Sequence, residues 1–276
     1  MPEHRNRIHR GSVRSHHMLT PVLTIARKEL IDSARDLRSL LSSCLYCLMG
    51  PGVVLMVSFA MKSASEPGTA VIAGMLSVFT LVSVFSGGMN VGMDLLAGER
   101  ERRSLLPLLM NPVARRDIIA GKWLAIVCFS AAGLVVNLAG SGAVLAVAGT
   151  SGFANAGDFV LLFACGLAPL AMLAAAMELT ISTACRTVKE AHTYLSMVVF
   201  VPMLLGMFGV FFPKSDEWLQ YLPVTGQQWQ LQRWITGSDV PAIPALMNGI
   251  MTLAFAVATL LAGAKLIESD DVVYGS

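Results

Sequence analysis

The residues with the most chemical capacity lie between Gly98 and Lys122. There Glu99, Arg100, Glu101, Arg102 and Arg103 stand in succession, and Arg115, Arg116, Asp117 and Lys122 follow. Paired carboxylates could serve acid–base work or hold a metal, but both uses need partners that the chain withholds. His4, His9, His16 and His17 fall in the first seventeen residues, leaving His192 alone near the apolar part of the sequence. A histidine metal site or general base therefore lacks material. Glu99 and Glu101 beside Arg103 fit no intramembrane protease for the same reason. Gly121-Lys122 is not a phosphate-binding loop, because the upstream glycine is missing and Trp123 follows the lysine. Cys44-Leu-Tyr-Cys47 has redox spacing but opens an apolar run without a strand before it, so packing is its expected use. The five cysteines are odd in number and lie in or beside apolar runs, which implies no disulfide framework. The charged stretch reads as a recognition element.

The elements that must carry it are membrane helices. Of 276 residues, 55% are hydrophobic and 14% charged, more apolar material than one soluble core would bury. Six stretches are long enough to cross about 30 Å of hydrocarbon as helix. They are Leu40 to Met61, Ala70 to Leu95, Trp123 to Ala148, Phe159 to Ile181, Thr193 to Phe212 and Pro241 to Ile267. None shows the alternation of a membrane barrel, so the expected fold is an all-α membrane protein with six transmembrane helices. Seventeen of the 20 Lys and Arg fall on one side of this arrangement, with Lys62, Lys214 and Arg233 on the other. That asymmetry places both termini in the cytoplasm, in a multi-pass protein of the inner (plasma) membrane. The net charge of +2 reports topology and gives no sign of a nucleic-acid partner.

Residues 1–19, rich in Arg and His, read as a disordered cytoplasmic tail, with Met18 a candidate start. Residues 20–39 read as an amphipathic interfacial helix: Thr20 caps it, Pro21 opens it, and Leu23, Ala26, Leu30, Ala34, Leu37 and Leu41 recur at helical spacing. Arg27, Lys28, Asp32, Arg35 and Asp36 fill the rest of its circumference, which suits either an anchor on the membrane surface or a docking face. The basic residues are too far from the first apolar run for a cleavable signal, so the first span is retained. Residues 40–267 form the six-span domain with the charged segment 97–122 inside it, and 268–276 form a cytoplasmic tail.

Within that segment Ser104 can cap a short helix starting at Leu105, with Pro107 tolerated in the first turn and Asn111-Pro112 ending it. Leu105, Leu108 and Leu109 would then form an apolar knob beside the charges; a plain solvated loop is the alternative. On the opposite side, Pro213 to Val240 carries Trp218, Tyr221, Trp229 and Trp234. It reads as two short helices broken near Pro223 to Gly226 and dipping into the outer leaflet, as a lid or an aromatic belt. Gly88 with Gly92, and Ala131, Ala132, Gly133, Gly140 and Gly142, are suited to close helix packing.

Gly98-Glu99-Arg100-Glu101-Arg102, Ser104-Leu105, Leu108-Leu109, Pro112-Val113, Arg115 and Gly121-Lys122 resemble the signature of the ABC-2 class of export permeases. Ala26-Arg27-Lys28-Glu29-Leu30 with Arg35-Asp36 is similar to that class's opening helix. Lys189 to Tyr194 and Leu222 to Gln228 narrow the resemblance to NatB-like, sodium-extrusion transmembrane subunits. Two departures stand out: Leu106 and Pro107 replace the usual glutamate, and Lys62 to Thr69 is a short turn where an outer domain is common. The resemblance implies a permease with no catalysis of its own, driven by a separate ABC ATPase subunit that binds ATP and Mg. It also implies a second permease subunit, identical or not, around one pathway in the lipid bilayer. The ATPase would be met by Arg27, Lys28, Glu29, Arg35 and Arg38 of the opening helix. A short cytoplasmic coupling helix would meet it too, with Glu99, Arg100, Glu101, Arg102, Arg103, Ser104, Leu105, Leu108, Leu109, Arg115, Arg116 and Lys122.

Polar residues inside spans are candidates for the pathway. Asn90, Asp94 and Glu178 fall near the inner ends of their spans and could line a vestibule for a cation or cationic amphiphile. They could equally pair with Arg100, Arg102 or Arg186. Asn137 lies deeper and suits a hydrogen bond to a neighbouring helix; Gln227 and Gln228 stand in the external motif. No acidic cluster is dense enough for an ion site. The expected function is outward movement of sodium or a small amphiphile, and the alternative is a membrane-anchored accessory or assembly protein without a transport path.

Overall fold

A computed structural model describes residues 21–61, 69–104, 113–148, 156–211 and 217–268. The helix expected from Leu105 onward, the knob residues Leu105, Leu108 and Leu109, and the tails 1–19 and 269–276 lie outside these described residues. Helix α1 spans 21–35 and is followed by α2 (Leu37–Met61) and α3 (Thr69–Met93), which continues through a π-helical turn, Asp94–Gly98, into Glu99–Glu101. Next come α4 (Arg115–Ala148) and α5, which starts at Ala156–Leu162, passes a π turn at Phe163–Leu167 and ends as Ala168–Ala184. Then follow α6 (Val188–Phe211), a 3-10 turn (Glu217–Tyr221), α7 (Thr225–Ile235) and α8 (Ala242–Glu268). Six of these are long and apolar enough to cross a membrane, and the described residues contain no strand.

Two helices begin more than a turn earlier than hydropathy alone indicates. α4 starts at Arg115, ahead of the expected Trp123, because Asp117 and Ile118 bond back to the Ala114 carbonyl and the first two turns are charged helix. α6 starts at Val188, ahead of Thr193. Thr187 caps it by accepting from the Glu190 N–H (3.2 Å), while the Glu190 carboxylate accepts from the Arg186 N–H (2.9 Å). These turns carry the basic residues to the same end of the bundle as the end of α3.

α3 is the central post: 78% of its apolar window is buried, against 22% for α2, α6 and α8. α4 and α5 flank it and supply the largest core cluster, with Leu81, Val84 and Phe85 of α3 against Leu134, Leu167 and Leu170. Small residues permit this. A side chain on Gly133 would begin 2.9 Å from the Gly87 Cα, so α3 and α4 meet backbone to backbone. Asn137 then locks three helices at depth, donating to the Cys47 carbonyl of α2 (2.9 Å) and accepting from the Thr80 hydroxyl of α3 (2.9 Å). This is the interhelical role its depth suggested. Gly140 packs on Pro51, but Gly142, expected to behave likewise, faces open space.

α7 differs from its expected place. It follows a break at Leu222–Val224 as anticipated, yet Gly226, Gln227, Gln228, Gln230 and Leu231 are buried among the spans. Gln227, Gln228 and Gln230 point inward, and Trp234 packs partly buried against the core and the Phe159 ring.

The glycine contact makes a direct prediction. Gly133→Val forces α3 and α4 apart and costs about 1–3 kcal/mol, whereas Gly142→Val is nearly neutral. Thermal unfolding of the purified variants in lipid nanodiscs checks the contrast.

Candidate functional site

Lys122 organises the charged end. It is completely buried, and its ammonium donates to Glu29 Oε1 (3.2 Å), Glu99 Oε1 (2.7 Å) and the Leu95 carbonyl (2.9 Å). One cation thus ties α1, the end of α3 and the start of α4. Each partner has a local reason to be there. Gly121 lets α1 close on α4, since a side chain at that point would begin 2.8 Å from Ile25 Cβ and 3.0 Å from the Val22 carbonyl. Glu29 lies on the same face of α1 as Ile25 and Ala26, so the helix turns it inward. Leu95 is in the π turn, where the Glu99 N–H bonds to the Leu96 carbonyl, and the Leu95 carbonyl takes Lys122. Ser182 of α5 holds this turn, accepting from the Ala97 N–H (3.0 Å) and donating to the Met93 carbonyl (3.3 Å).

Charges alternate outward from this centre. Lys28 donates to Glu29 Oε1 (3.3 Å) and lies 3.6 Å from Asp32. Partial burial pushes its pKa down, but the charge of Glu29 and the hydrogen bond to it, helped by Asp32 and Glu99, leave it above the ordinary lysine value. Asp36 caps α2, accepting from the Ser39 hydroxyl (2.5 Å) and the Arg38 N–H (3.2 Å). The Ser39 bond is the main reason its carboxyl stays below the usual aspartate range.

Arg100 and Glu101 grip the junction of α5 and α6. Arg100 donates to the carbonyls of Thr183 (2.8 Å) and Cys185 (2.7 Å), the unpaired acceptors at the end of α5. Glu101 Oε2 accepts from the Val188 N–H (2.9 Å) at the start of α6. The cation meets a helix C-terminus and the anion a helix N-terminus, the favourable pairing with both dipoles. Arg102 pairs with Asp94 (2.9 Å) on the surface. Arg103 adopts φ 57°, and the Ser104 N–H to Glu99 carbonyl and Arg103 N–H to Arg100 carbonyl bonds complete a left-handed helix stop. Glycine is the easy residue there, so arginine carries a strain of about 1 kcal/mol. Arg115 reaches the Ile267 carbonyl near the end of α8 (3.3 Å).

Of the residues the sequence singled out, Lys28, Glu29, Glu99 and Lys122 share one network, and Arg100, Glu101, Arg102 and Arg115 make separate contacts around it. Arg27, Arg35, Arg38, Arg103, Ser104 and Arg116 are exposed around it. Between α1 and α3 lies a cavity of about 620 Å³, lined by Glu29, Asp32, Asp36, Asp94 and Glu99 against Lys28 and Arg102. Asn90 lines it too, but its amide is engaged with the Ser42 and Ser43 hydroxyls (2.9 Å each).

Glu178 does not join Asn90 and Asp94. It is buried against Gly88 and Gly92 of α3, and neither of its oxygens has a hydrogen-bond partner among the described residues. The small-residue pair serves as the notch that admits this side chain. Gln227 and Gln228 are at the far end of the bundle. Gln227 accepts from the Val224 N–H (2.6 Å) and donates to the Thr252 hydroxyl (2.8 Å), and Gln228 donates to the Gly206 carbonyl (2.6 Å). The sequence reading passed over Ser182, Gln230 and Asn248; a polar residue in an apolar helix was the available signal.

Lys122→Ala would leave Glu29 and Glu99 facing each other in a buried site, a cost of about 3–5 kcal/mol. Adding Glu29→Gln and Glu99→Gln should restore much of it. Thermal midpoints of the single and triple variants test this, and a single variant as stable as the parent would contradict the central role of Lys122.

Comparison with known proteins agrees with this architecture. Residues 23–232 match the family described as ABC-2 family transporter protein. The chain is 31% identical over 228 residues to the ABC transporter permease protein NatB of Bacillus subtilis (strain 168), covering 77% of this chain and 58% of that protein. It is 32% identical over 138 residues to the probable ABC transporter permease protein NosY of Pseudomonas aeruginosa (strain PAO1), covering 49% of this chain and 44% of that one. The chain thus spans about half the length of the curated relatives it matches. Carrying the family's match over most of its length, on a bundle of six membrane-length helices, the chain belongs to the ABC-2 transporter family.

Proposed function

We propose that the chain is the permease subunit of an exporter, in which a separate ATPase subunit hydrolyses ATP with Mg and a second permease subunit completes the pathway. The charged end faces the cytoplasm, a reading supported by the distribution of Lys and Arg. The cargo is sodium or a small amphiphile, moved outward. The observation that supports this most is the joint itself. Lys122 fastens α1 to α3 and α4, while Arg100 and Glu101 fasten the end of α3 to α5 and α6. A push delivered to segment 97–122 or to the exposed cations of α1 is therefore shared at once by α3, α4, α5 and α6. The ATPase docks on Arg27, Arg35 and Arg38, on Arg102 to Ser104, and on the stretch containing Leu105, Leu108 and Leu109. Glu29 and Lys122 act from inside, holding the docking surfaces to the spans.

Two sets of variants separate docking from transmission. Reversing the charges of Arg102 and Arg103, or truncating Leu108 and Leu109, should weaken assembly with the ATPase and lower permease-dependent ATP turnover. Arg100→Ala with Glu101→Gln should leave assembly intact but cut that turnover about tenfold or more, in line with the 1.5–3 kcal/mol worth of each charged hydrogen bond. Co-purification and ATP turnover in nanodiscs read both, and normal turnover in both sets would overturn the assignment.

A further inference from the structure

A polar cluster and an apolar cavity lie on one seam, the cluster at the end of the bundle remote from Lys122 and the cavity running from it towards Thr180 and Ile181. The cavity, about 460 Å³, is bounded by α5, α6 and α8, with Leu173, Met177, Phe255 and Thr259 among its walls. Its roof is the turn Leu222, Pro223 and Val224. The cluster lies further along the same helix faces. On α8, Asn248 and Thr252 precede Phe255 and Thr259 at spacings of four, three and four; on α5, Gly166 lies two turns before Leu173. The roof is also the floor of the cluster, because Asn248 donates to the Leu222 carbonyl (2.6 Å) and Gln227 accepts from the Val224 N–H (2.6 Å).

Three features of this seam are uncompensated. Gln230 has no solvent exposure, and neither its amide oxygen nor its nitrogen has a hydrogen-bond partner among the described residues. Its oxygen lies 3.3 Å from where a side chain on Gly166 would begin, in the π turn of α5. Asn248 is equally buried, and its oxygen is likewise unpaired. Val224, a β-branched residue, is held at φ 73°, which costs about 1–3 kcal/mol. A buried amide without partners costs a comparable amount. A cavity of this size, apolar on its walls and separated by one strained turn from unused polar groups, approaches the composition of a small-molecule site.

We infer that this seam is a membrane-facing binding site for an uncharged amphiphile: an apolar body of acyl-chain character lies in the cavity, and a hydroxyl or amide end is read by Gln230 and Asn248 when the strained Leu222–Val224 turn gives way. The amide of Gln230 offers one donor and one acceptor, so it fits a neutral group that does both. The seam holds no charged side chain among its named residues and so offers nothing to balance a cationic head. The inference rests on the permease reading and chooses the small amphiphile within it.

The full chain in nanodiscs tests it through the thermal midpoint, with 1-monooctanoylglycerol, octyltrimethylammonium and octane as probes. The expected result is a saturable rise with the neutral amphiphile alone, lost in Gln230→Leu and in Val201→Trp, which fills the cavity. Gln230→Leu without probe should unfold at the parental temperature or above, because it removes unpaired polar atoms. A lower midpoint would mean that water already satisfies the amide, and would overturn the inference. Equal response of parent and Gln230→Leu, or equal effects of all three probes, would overturn it as well. No ATPase is needed, so failure here leaves the permease reading standing, while failure of coupled turnover leaves this binding result intact.

Discussion

The structure depends on one ammonium group taken wholly out of solvent. Lys122 carries its charge into the bundle only because two carboxylates and a backbone carbonyl surround it. A buried cation costs several kcal/mol unless it is paired and hydrogen-bonded. The three acceptors come from elements distant in sequence, with Glu29 lying 93 residues before Lys122. That distance gives the interaction its reach: it can form only when α1, the π turn of α3 and the first turns of α4 have come together. Gly121 and Ser182 serve the same end, one by absence of bulk and the other by stitching the π turn.

From this centre the architecture divides by kind of force. The charged end is held by ion pairs and by bonds to helix termini, all of them directional. The middle is held by close packing of small residues, with Asn137 as the deep cross-link. The far end is held by amides, some of them unpaired. A bundle rigid at one end and imperfectly satisfied at the other has a natural direction for movement, because disturbance at the stiff end is expressed where alternatives cost least.

The six spans were legible because runs of about twenty apolar residues have few other solutions in water. A capping residue, Thr187, marked the true start of α6, yet hydropathy hid it and the start of α4, since Arg115 to Lys122 and Val188 to His192 are too polar to register as span. The motif residues around Glu99 and Lys122 were also legible as a group. Their pairing was not, because nothing local says that Glu29 turns inward; that follows from Val22, Ile25 and Ala26 packing on α4. The aromatic residues of α7 suggested a surface helix, whereas Gln227, Gln228 and Gln230 occupy the interior. Glutamine is usually a surface residue, so its burial becomes visible only once a neighbouring span supplies the partner.

α6 gives the arrangement a different kind of consequence. Among the described residues, the hydrogen bonds joining it to other elements fall at its two ends, from Val188 to Glu101 and from Gln228 to Gly206. Pro202 lies inside it and removes one rung of its own ladder. Such a helix behaves like a bowstring fixed at its nocks, resting between them on the apolar face of α3 through Leu195 and Val199. Bending, with no sliding past α3, is then the mode of deformation the span allows.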